Sequence, residues 1–174
     1  MITQYIIVEG GSDKALLEKV LPKDLLSQTK IIVGSGSNIA LSKAQSLLVS
    51  SELPVTLIVD SDTTDIGSIE EKNDFITQSL HQFASSNRFN VVLATPEIES
   101  LFFSNKEITK ALIGSKITEQ QLELSRYHPK QILLKILNIE NIESLYSNLT
   151  PSHIKKLRET ELIKNIINGY QVAA

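Results

Sequence analysis

The chain has 174 residues, a net charge of −3 at pH 7 and a hydrophobic fraction of 41%, a composition typical of one ordinary globular domain. It contains no cysteine, which excludes thiolate metal ligands, a cysteine nucleophile and disulfides, and favours a reducing cytoplasm as its compartment. The first residues include no basic region, so we expect no signal peptide. Because no stretch approaches the roughly 20 apolar residues of a membrane span, we expect no membrane partner.

Four apolar runs in the first hundred residues alternate with helical patterns. They predict buried strands over 4–8, 30–33, 55–59 and 89–94. Helices are predicted over 13–20, 38–49 and 68–85, and over 97–103 with Pro96 in the first turn. Strands that alternate with crossover helices predict an α/β fold with a mostly parallel four-stranded sheet flanked by helices.

From residue 105 onward the strand signal disappears. Helical patterns cover 106–113, 119–124, 129–137, 139–145 and 151–168. We therefore predict two parts, an α/β domain over 1–104 that contains the site and an all-helical C-terminal extension or cap over 105–174.

Carboxylates follow three of the predicted strands, at the point where each strand ends. They are Glu9 and Asp13, Asp60 and Asp62, and Glu97 and Glu99. The carboxyl ends of strands in an open α/β sheet meet at one edge, where six carboxylates would repel one another unless a cation were bound. Oxygen ligands suit hard divalent cations, so this pattern predicts a site for Mg²⁺ or Mn²⁺.

Each cluster also has a plain structural interpretation. Asp13 and the pair after Pro96 are acids in the first turn of a helix, where the helix dipole favours negative charge. Aspartates such as Asp60 and Asp65 are common in turns. Glu9, which stands between a buried strand and two glycines, has no comparable structural task.

These residues resemble the motifs of a TOPRIM domain, the metal-binding fold of topoisomerases, DnaG-type primases and several nucleases. The resemblance covers residues 4–104, with Glu9 in IIVEGGSD, Asp60 and Asp62 in LIVDSD, and the small-residue turn VGSGSN. The additional acids are similar to those of the OLD-type (overcoming lysogenization defect) branch. These additional acids are Asp13, Glu97 and Glu99.

The resemblance implies a Mg²⁺- or Mn²⁺-dependent endonuclease that cleaves nucleic acid, with DNA favoured over RNA, and that uses two cations about 3.5–4 Å apart. One cation is expected at Glu9, Asp60 and Asp62, and the other mainly at Asp13, Glu97 and Glu99. Lys155 or Lys156, from a cluster of basic residues in the C-terminal half, is expected to neutralise negative charge in the transition state. A role in phage defence or DNA repair would follow from the same resemblance.

OLD-type nucleases contain an ATPase domain that this sequence lacks, which implies either a stand-alone TOPRIM protein or one that works with a separately encoded ATPase partner. The alternative function is a non-catalytic TOPRIM module that binds metal or nucleic acid together with such a partner. A receiver-like phosphoacceptor domain is disfavoured. It needs a pair of acids directly after the first strand, where this chain has only Glu9, and no predicted fifth strand carries a lysine. The residues by themselves leave three points open, which are homo-oligomerisation, end or internal cleavage, and the choice between DNA and RNA.

Overall fold

The computed structural model describes residues 1–114 and 117–172, with side chains up to residue 169. Its centre is a sheet of four parallel strands in the order β2-β1-β3-β4. The strands are β1 (Gln4–Val8), β2 (Thr29–Val33), β3 (Val55–Asp60) and β4 (Phe89–Ala94). All four predicted strands, and the parallel α/β fold, are therefore confirmed.

Ten α-helices flank the sheet in the described part of the chain. They are α1 (Gly11–Val20), α2 (Lys23–Gln28), α3 (Ser37–Ser50), α4 (Ile66–His81), α5 (Lys106–Ile113), α6 (Glu119–Leu124), α7 (Pro129–Leu137), α8 (Glu143–Ser147), α9 (Pro151–Arg158) and α10 (Glu161–Val172). Two 3₁₀ helices, Ser86–Arg88 and Ile98–Phe103, flank β4. In the described ranges no helix combines the length and apolar character needed to cross a bilayer.

The sheet is covered on both faces, as the continuous apolar strands predicted. On one face Leu57 and Val59 of β3 pack with Ala40 and Ala44 of α3, and with α4. Those two alanines are four residues apart and therefore lie on the same side of the helix. Ile58 points to the opposite face, because successive side chains of a strand alternate between faces.

The C-terminal helices cover that opposite face. Leu133 of α7, Leu157 of α9 and Ile166 of α10 belong to the same apolar core as Val8 of β1 and Val92 of β4. In α10, a methyl group added at Gly169 would collide with the side-chain amide of Asn90 on β4, so helix and strand are in close contact. The helical extension and the sheet thus share one continuous core.

Two helices differ from the prediction near the sheet. Residues 97–103 were predicted as a helix with Pro96 in its first turn, but they form the 3₁₀ helix, with Glu97 as its N-cap. Pro96 lies outside it and follows a cis peptide bond. The predicted helix 68–85 is shorter at its end, because the N–H groups of Phe83 and Ala84 both donate to the carbonyl of Leu80.

Three further differences concern short helices. The sequence did not predict α2, which follows directly after Pro22. The predicted helix 151–168 is divided into α9 and α10, because the Thr160 hydroxyl donates to the Leu157 carbonyl and accepts from the N–H of Ile163. Residues 139–142 lie outside α8, since the left-handed Asn138 ends α7 and Asn141 accepts from the N–H of Ser144.

The order of the strands reverses between β1 and β3. The chain moves from β1 outward to β2, then returns to place β3 on the other side of β1. In open α/β sheets ligands bind outside the carboxyl ends of the strands, at the point where the order reverses. Glu9 directly follows β1 and Asp60 is the last residue of β3, so both lie at this position.

Candidate metal centre

Backbone hydrogen bonds fix the turn beside Glu9. The N–H of Gly34 donates to the carbonyl of Val8 over 2.7 Å, and the N–H of Ser35 donates to the carbonyl of Glu9 over 2.8 Å. A Cβ at Gly34 would lie 2.6 Å from the Cβ of Ala40, so only glycine permits this contact between turn and helix. The VGSGSN turn therefore holds the ends of β1 and β2 together.

A second pair of hydrogen bonds joins the loops after β3 and β4. The N–H of Ser61 donates to the carbonyl of Ala94 over 2.8 Å, and that of Asp62 donates to the carbonyl of Pro96 over 3.0 Å. Asp62 has a φ of 61°, a left-handed conformation that aspartate tolerates better than most residues. The DSD and TPEIE segments are thus fixed against each other.

The carboxylates of Glu9 and Asp60 are each held by one oxygen. Glu9 Oε1 accepts from the N–H of Asp60 over 2.9 Å, and Asp60 Oδ1 accepts from the N–H of Ile98 over 2.9 Å. The second oxygen of each carboxylate has no protein donor in the described ranges. A carboxylate that is oriented by a hydrogen bond on one oxygen and free on the other is well suited to bind a cation.

Asp13 and Asp62 have partners of their own. Asp13 is in the first turn of α1, and its Oδ2 accepts from the N–H of Gly10 over 2.8 Å, the bond expected of an acid at a helix N-terminus. Asp62 Oδ2 lies 2.9 Å from the Lys72 Nζ, which also donates to the carbonyl of Asp60 over 2.6 Å. Lys72 thus connects α4 to the end of β3.

Glu99 is almost completely buried, with 1% of its surface exposed. Its Oε1 accepts from the Tyr146 hydroxyl over 3.0 Å and lies 3.5 Å from the Lys130 Nζ. The ring of Tyr146 stacks on Phe102, with centroids 6.0 Å apart. The cost of burying this carboxylate is offset by one hydrogen bond and one partly exposed cation, both from the C-terminal helices.

The electrostatics confirm that these acids crowd one another. Burial, followed by the charges of Asp13, Glu99 and Glu9, raises the pKa of Asp60 to about 8. Burial also raises the pKa of Glu9, an effect that the nearby acids reinforce and the Asp60 hydrogen bond reduces. The pKa of Glu97 is raised first by burial and then by Glu99. The six carboxylates therefore form one interacting group.

In the described part of the chain, no three His, Cys, Asp or Glu side chains are grouped so that they could hold a metal ion. Mutual repulsion favours side-chain positions that keep carboxylates apart. The donor set nevertheless fits a hard divalent cation, because it consists of carboxylates, and Glu9 and Asp60 each have one oxygen without a protein donor in the described ranges. A bound cation would require some of these side chains to converge.

The two lysines predicted from the C-terminal half are not among the cations that contact these acids. The Lys156 Nζ pairs with Glu107 Oε2 at 3.2 Å, and Lys155 is exposed without a hydrogen bond or ion pair to a described residue. The cations at the carboxylates are Lys130 and Lys72.

Sequence reasoning missed Lys72 and Tyr146. Lys72 lies in the early turns of α4, the helix that follows Asp60 and Asp62. A cation at this position could have been predicted as a partner of these acids. No sequence pattern pointed to Tyr146 as a partner of the acids, because an aromatic residue in an apolar helix is normally predicted to be part of the hydrophobic core.

The fold and this edge define an α/β protein with a group of acids at the reversal point of a parallel sheet. The family model described as "Domain of unknown function (DUF4276)" matches residues 8–169. The chain therefore belongs to the DUF4276 family. No curated protein matches the sequence.

Proposed function

We propose that this protein is a Mg²⁺- or Mn²⁺-dependent nuclease of the TOPRIM type, which hydrolyses phosphodiester bonds of nucleic acid, DNA rather than RNA. The observation that carries the proposal is the group of acids at the point between β1 and β3 where the strand order reverses. There a hydrogen bond over 2.9 Å joins Glu9 to Asp60, and burial, together with the neighbouring acids, raises the pKa of Asp60 to about 8. Partly buried acids without enough compensating charge are costly for a fold, and such groups are found at functional sites. The resemblance to OLD-type nucleases supports the same chemistry.

Glu9, Asp60 and Asp62 would hold one cation, and Asp13, Glu97 and Glu99 would contribute to a second. A divalent cation at this position supplies charge stabilisation for a phosphoryl group and makes water a stronger nucleophile. The chain itself orients Glu9 and Asp60 through backbone N–H donors, so their free oxygens need little further ordering. Asp60 would release its proton as it becomes a ligand at neutral pH.

Lys130 and Lys72 are the cations best placed to act on a bound phosphate. The side chain of Lys130 is 38% exposed beside the buried Glu99, and that of Lys72 is 25% exposed beside Asp62. Each could move toward an incoming phosphate without leaving the sheet edge. Either ammonium group would stabilise negative charge that develops in phosphoryl transfer.

A second function, a non-catalytic module that binds metal or nucleic acid with a separately encoded ATPase partner, has one observation in its favour. Asp62 and Glu99 already pair with lysines, and Glu99 also accepts from Tyr146. These two acids therefore have less need of a cation than Asp60 and Glu9. A role in phage defence or DNA repair is part of either proposal.

A calorimetric titration with Mn²⁺, together with cleavage assays on plasmid DNA and RNA, tests the nuclease proposal. Asp60→Asn keeps the acceptor for Ile98 but removes the charge, and we expect it to abolish cleavage and weaken Mn²⁺ binding. The matched control is Asp74→Asn, an exposed aspartate on α4 without a described hydrogen bond or ion pair. Cleavage by a Glu9→Gln/Asp60→Asn double variant at the wild-type rate would overturn the assignment. Tight Mn²⁺ binding without turnover on either substrate would favour the module.

A further inference from the structure

An open cleft of about 660 Å³ lies beside the carboxylates, between the 3₁₀ helix Ile98–Phe103 and helices α5 and α6. One end is formed by Thr95 and Pro96, directly before Glu97. The carbonyl of Pro96 accepts from the N–H of Asp62, so this end of the cleft is connected to the acidic edge. The volume is in the range of pockets that bind ligands.

Three cations line this cleft, and none has an ion-pair partner among the residues that the structure describes. They are Lys106 and Lys110 of α5, and Arg126, which follows α6. The two lysines are four residues apart, so they lie on the same side of α5 and about 6 Å apart along its axis. All three are exposed, and among the described residues that line the cleft there is no carboxylate.

The placement of Lys106 has a cost for the fold. It is the first residue of α5, where the helix dipole favours an anion and opposes a cation. Lys106 and Lys110 also repel each other, as like charges at this spacing destabilise a helix. An anionic ligand in the cleft would remove both costs.

The wall of the cleft is mostly apolar. Phe103, Ile117 and Leu122 contribute to it, and Leu122 is 37% exposed although it is a large aliphatic residue. A surface that combines an apolar wall with spaced cations suits a single strand of nucleic acid. The bases of such a strand stack on apolar and aromatic groups, and its phosphates contact the cations.

We propose that this cleft binds the single strand that flanks the scissile phosphate, with Lys106, Lys110 and Arg126 on its backbone. The inference rests on the proposed nuclease function, and it adds a path for the substrate from the acidic edge along α5. A free nucleotide is the weaker fit, because the positive charge is spread along a helix and is not concentrated at one point.

Fluorescence anisotropy with a labelled oligothymidine of about 16 nucleotides, in EDTA so that no cleavage occurs, tests the proposal. Loss of two phosphate contacts should reduce the slope of log K against log salt by about 1.4 and weaken binding about 25-fold at ~0.1 M salt. We expect both effects for Lys106→Gln/Lys110→Gln. Arg126→Gln alone should weaken binding about fivefold.

The matched control is Lys19→Gln/Lys23→Gln, the same change of charge at two exposed lysines near the end of α1. We expect this control to bind within about twofold of wild type. It has the same net charge as the cleft variant but keeps the lysines of the cleft. Equal binding by the cleft and control variants would overturn the proposal. Two further outcomes would also overturn the proposal. One is competition by thymidine monophosphate with the affinity of the single strand, and the other is tighter binding of a duplex than of the single strand.

The cleavage assay in Mn²⁺ separates this inference from the proposed function. If wild type cleaves and the cleft variant binds normally, the cleft inference is wrong and the nuclease stands. If the cleft variant loses binding but wild type cleaves nothing, the strand-binding cleft stands and the nuclease is wrong. Unchanged melting temperatures of the variants would exclude a folding defect as the cause.

Discussion

The Glu9 carboxylate accepts a hydrogen bond from the backbone N–H of Asp60 over 2.9 Å, and these two residues end neighbouring strands. An acid expected as a metal ligand therefore also completes the hydrogen bonding of β3. The bond crosses the point where the strand order reverses. Charge and hydrogen bonding at Glu9 can be separated, because glutamine keeps the acceptor oxygen and loses only the charge.

Glu9→Ala should be less stable than Glu9→Gln by roughly 1–3 kcal/mol, the cost of leaving a half-buried N–H without an acceptor. Both variants relieve the repulsion from the neighbouring acids equally, so the difference between them reports the hydrogen bond. Urea denaturation of the two variants at one pH measures it. Equal free energies of unfolding would show that water replaces the Glu9 oxygen at no cost.

Stability should fall as pH rises in the absence of divalent cations. The carboxyl of Asp60 has an ordinary pKa of 3.8 and a pKa of about 8 in the fold. Between these values the folded state holds a proton that the unfolded state has lost, so the free energy of unfolding decreases by at most about 1.4 kcal/mol per pH unit. The raised pKa values of Glu9 and Glu97 act in the same direction.

Urea denaturation in EDTA between about pH 5 and about pH 8 checks this dependence. Asp60→Asn should reduce the slope, because it has no proton to lose. Added Mn²⁺ should restore wild-type stability at the alkaline end of the range and leave Asp60→Asn little changed. A wild-type protein that becomes more stable over this range would contradict the raised pKa of Asp60.

Tyr146→Phe should destabilise the fold by roughly 1–3 kcal/mol, because it removes the hydroxyl that donates to the buried Glu99. The ring and its stacking on Phe102 are kept, so the loss reports the hydrogen bond. Tyr127→Phe is the control, since Tyr127 is 56% exposed. Addition of Glu99→Gln to the Tyr146→Phe variant should recover part of the loss, and a further loss would contradict this explanation.

Gly34→Ala should cost roughly 1–3 kcal/mol or more in a thermal or urea unfolding experiment, because the added Cβ would lie 2.6–2.8 Å from Ala40 side-chain and backbone atoms. Gly11→Ala is the matched control, since a Cβ there has nothing within 4 Å and the residue begins α1. We expect that control to be neutral or slightly stabilising. If the two substitutions were equally tolerated, the turn and α3 would not be in close contact.

The sequence by itself determined the strands and the positions of the acids. Each strand is a short apolar run between turn residues, and Glu9 and Asp60 stand directly at the ends of such runs. The alternation of strand and helix then determined the parallel sheet. These properties depend on residues close together in the chain, so a pattern of neighbours is enough to predict them.

Only the tertiary structure decided which groups meet the acids. Tyr146 and Glu99 are 47 residues apart in the sequence, and Glu9 and Asp60 are 51 apart. Lys130 reaches Glu99 because α7 packs on the 3₁₀ helix, whereas Lys156, on α9, pairs with Glu107 of α5. Which face of a helix meets which strand depends on how the whole core packs, and no local pattern of charges contains that information.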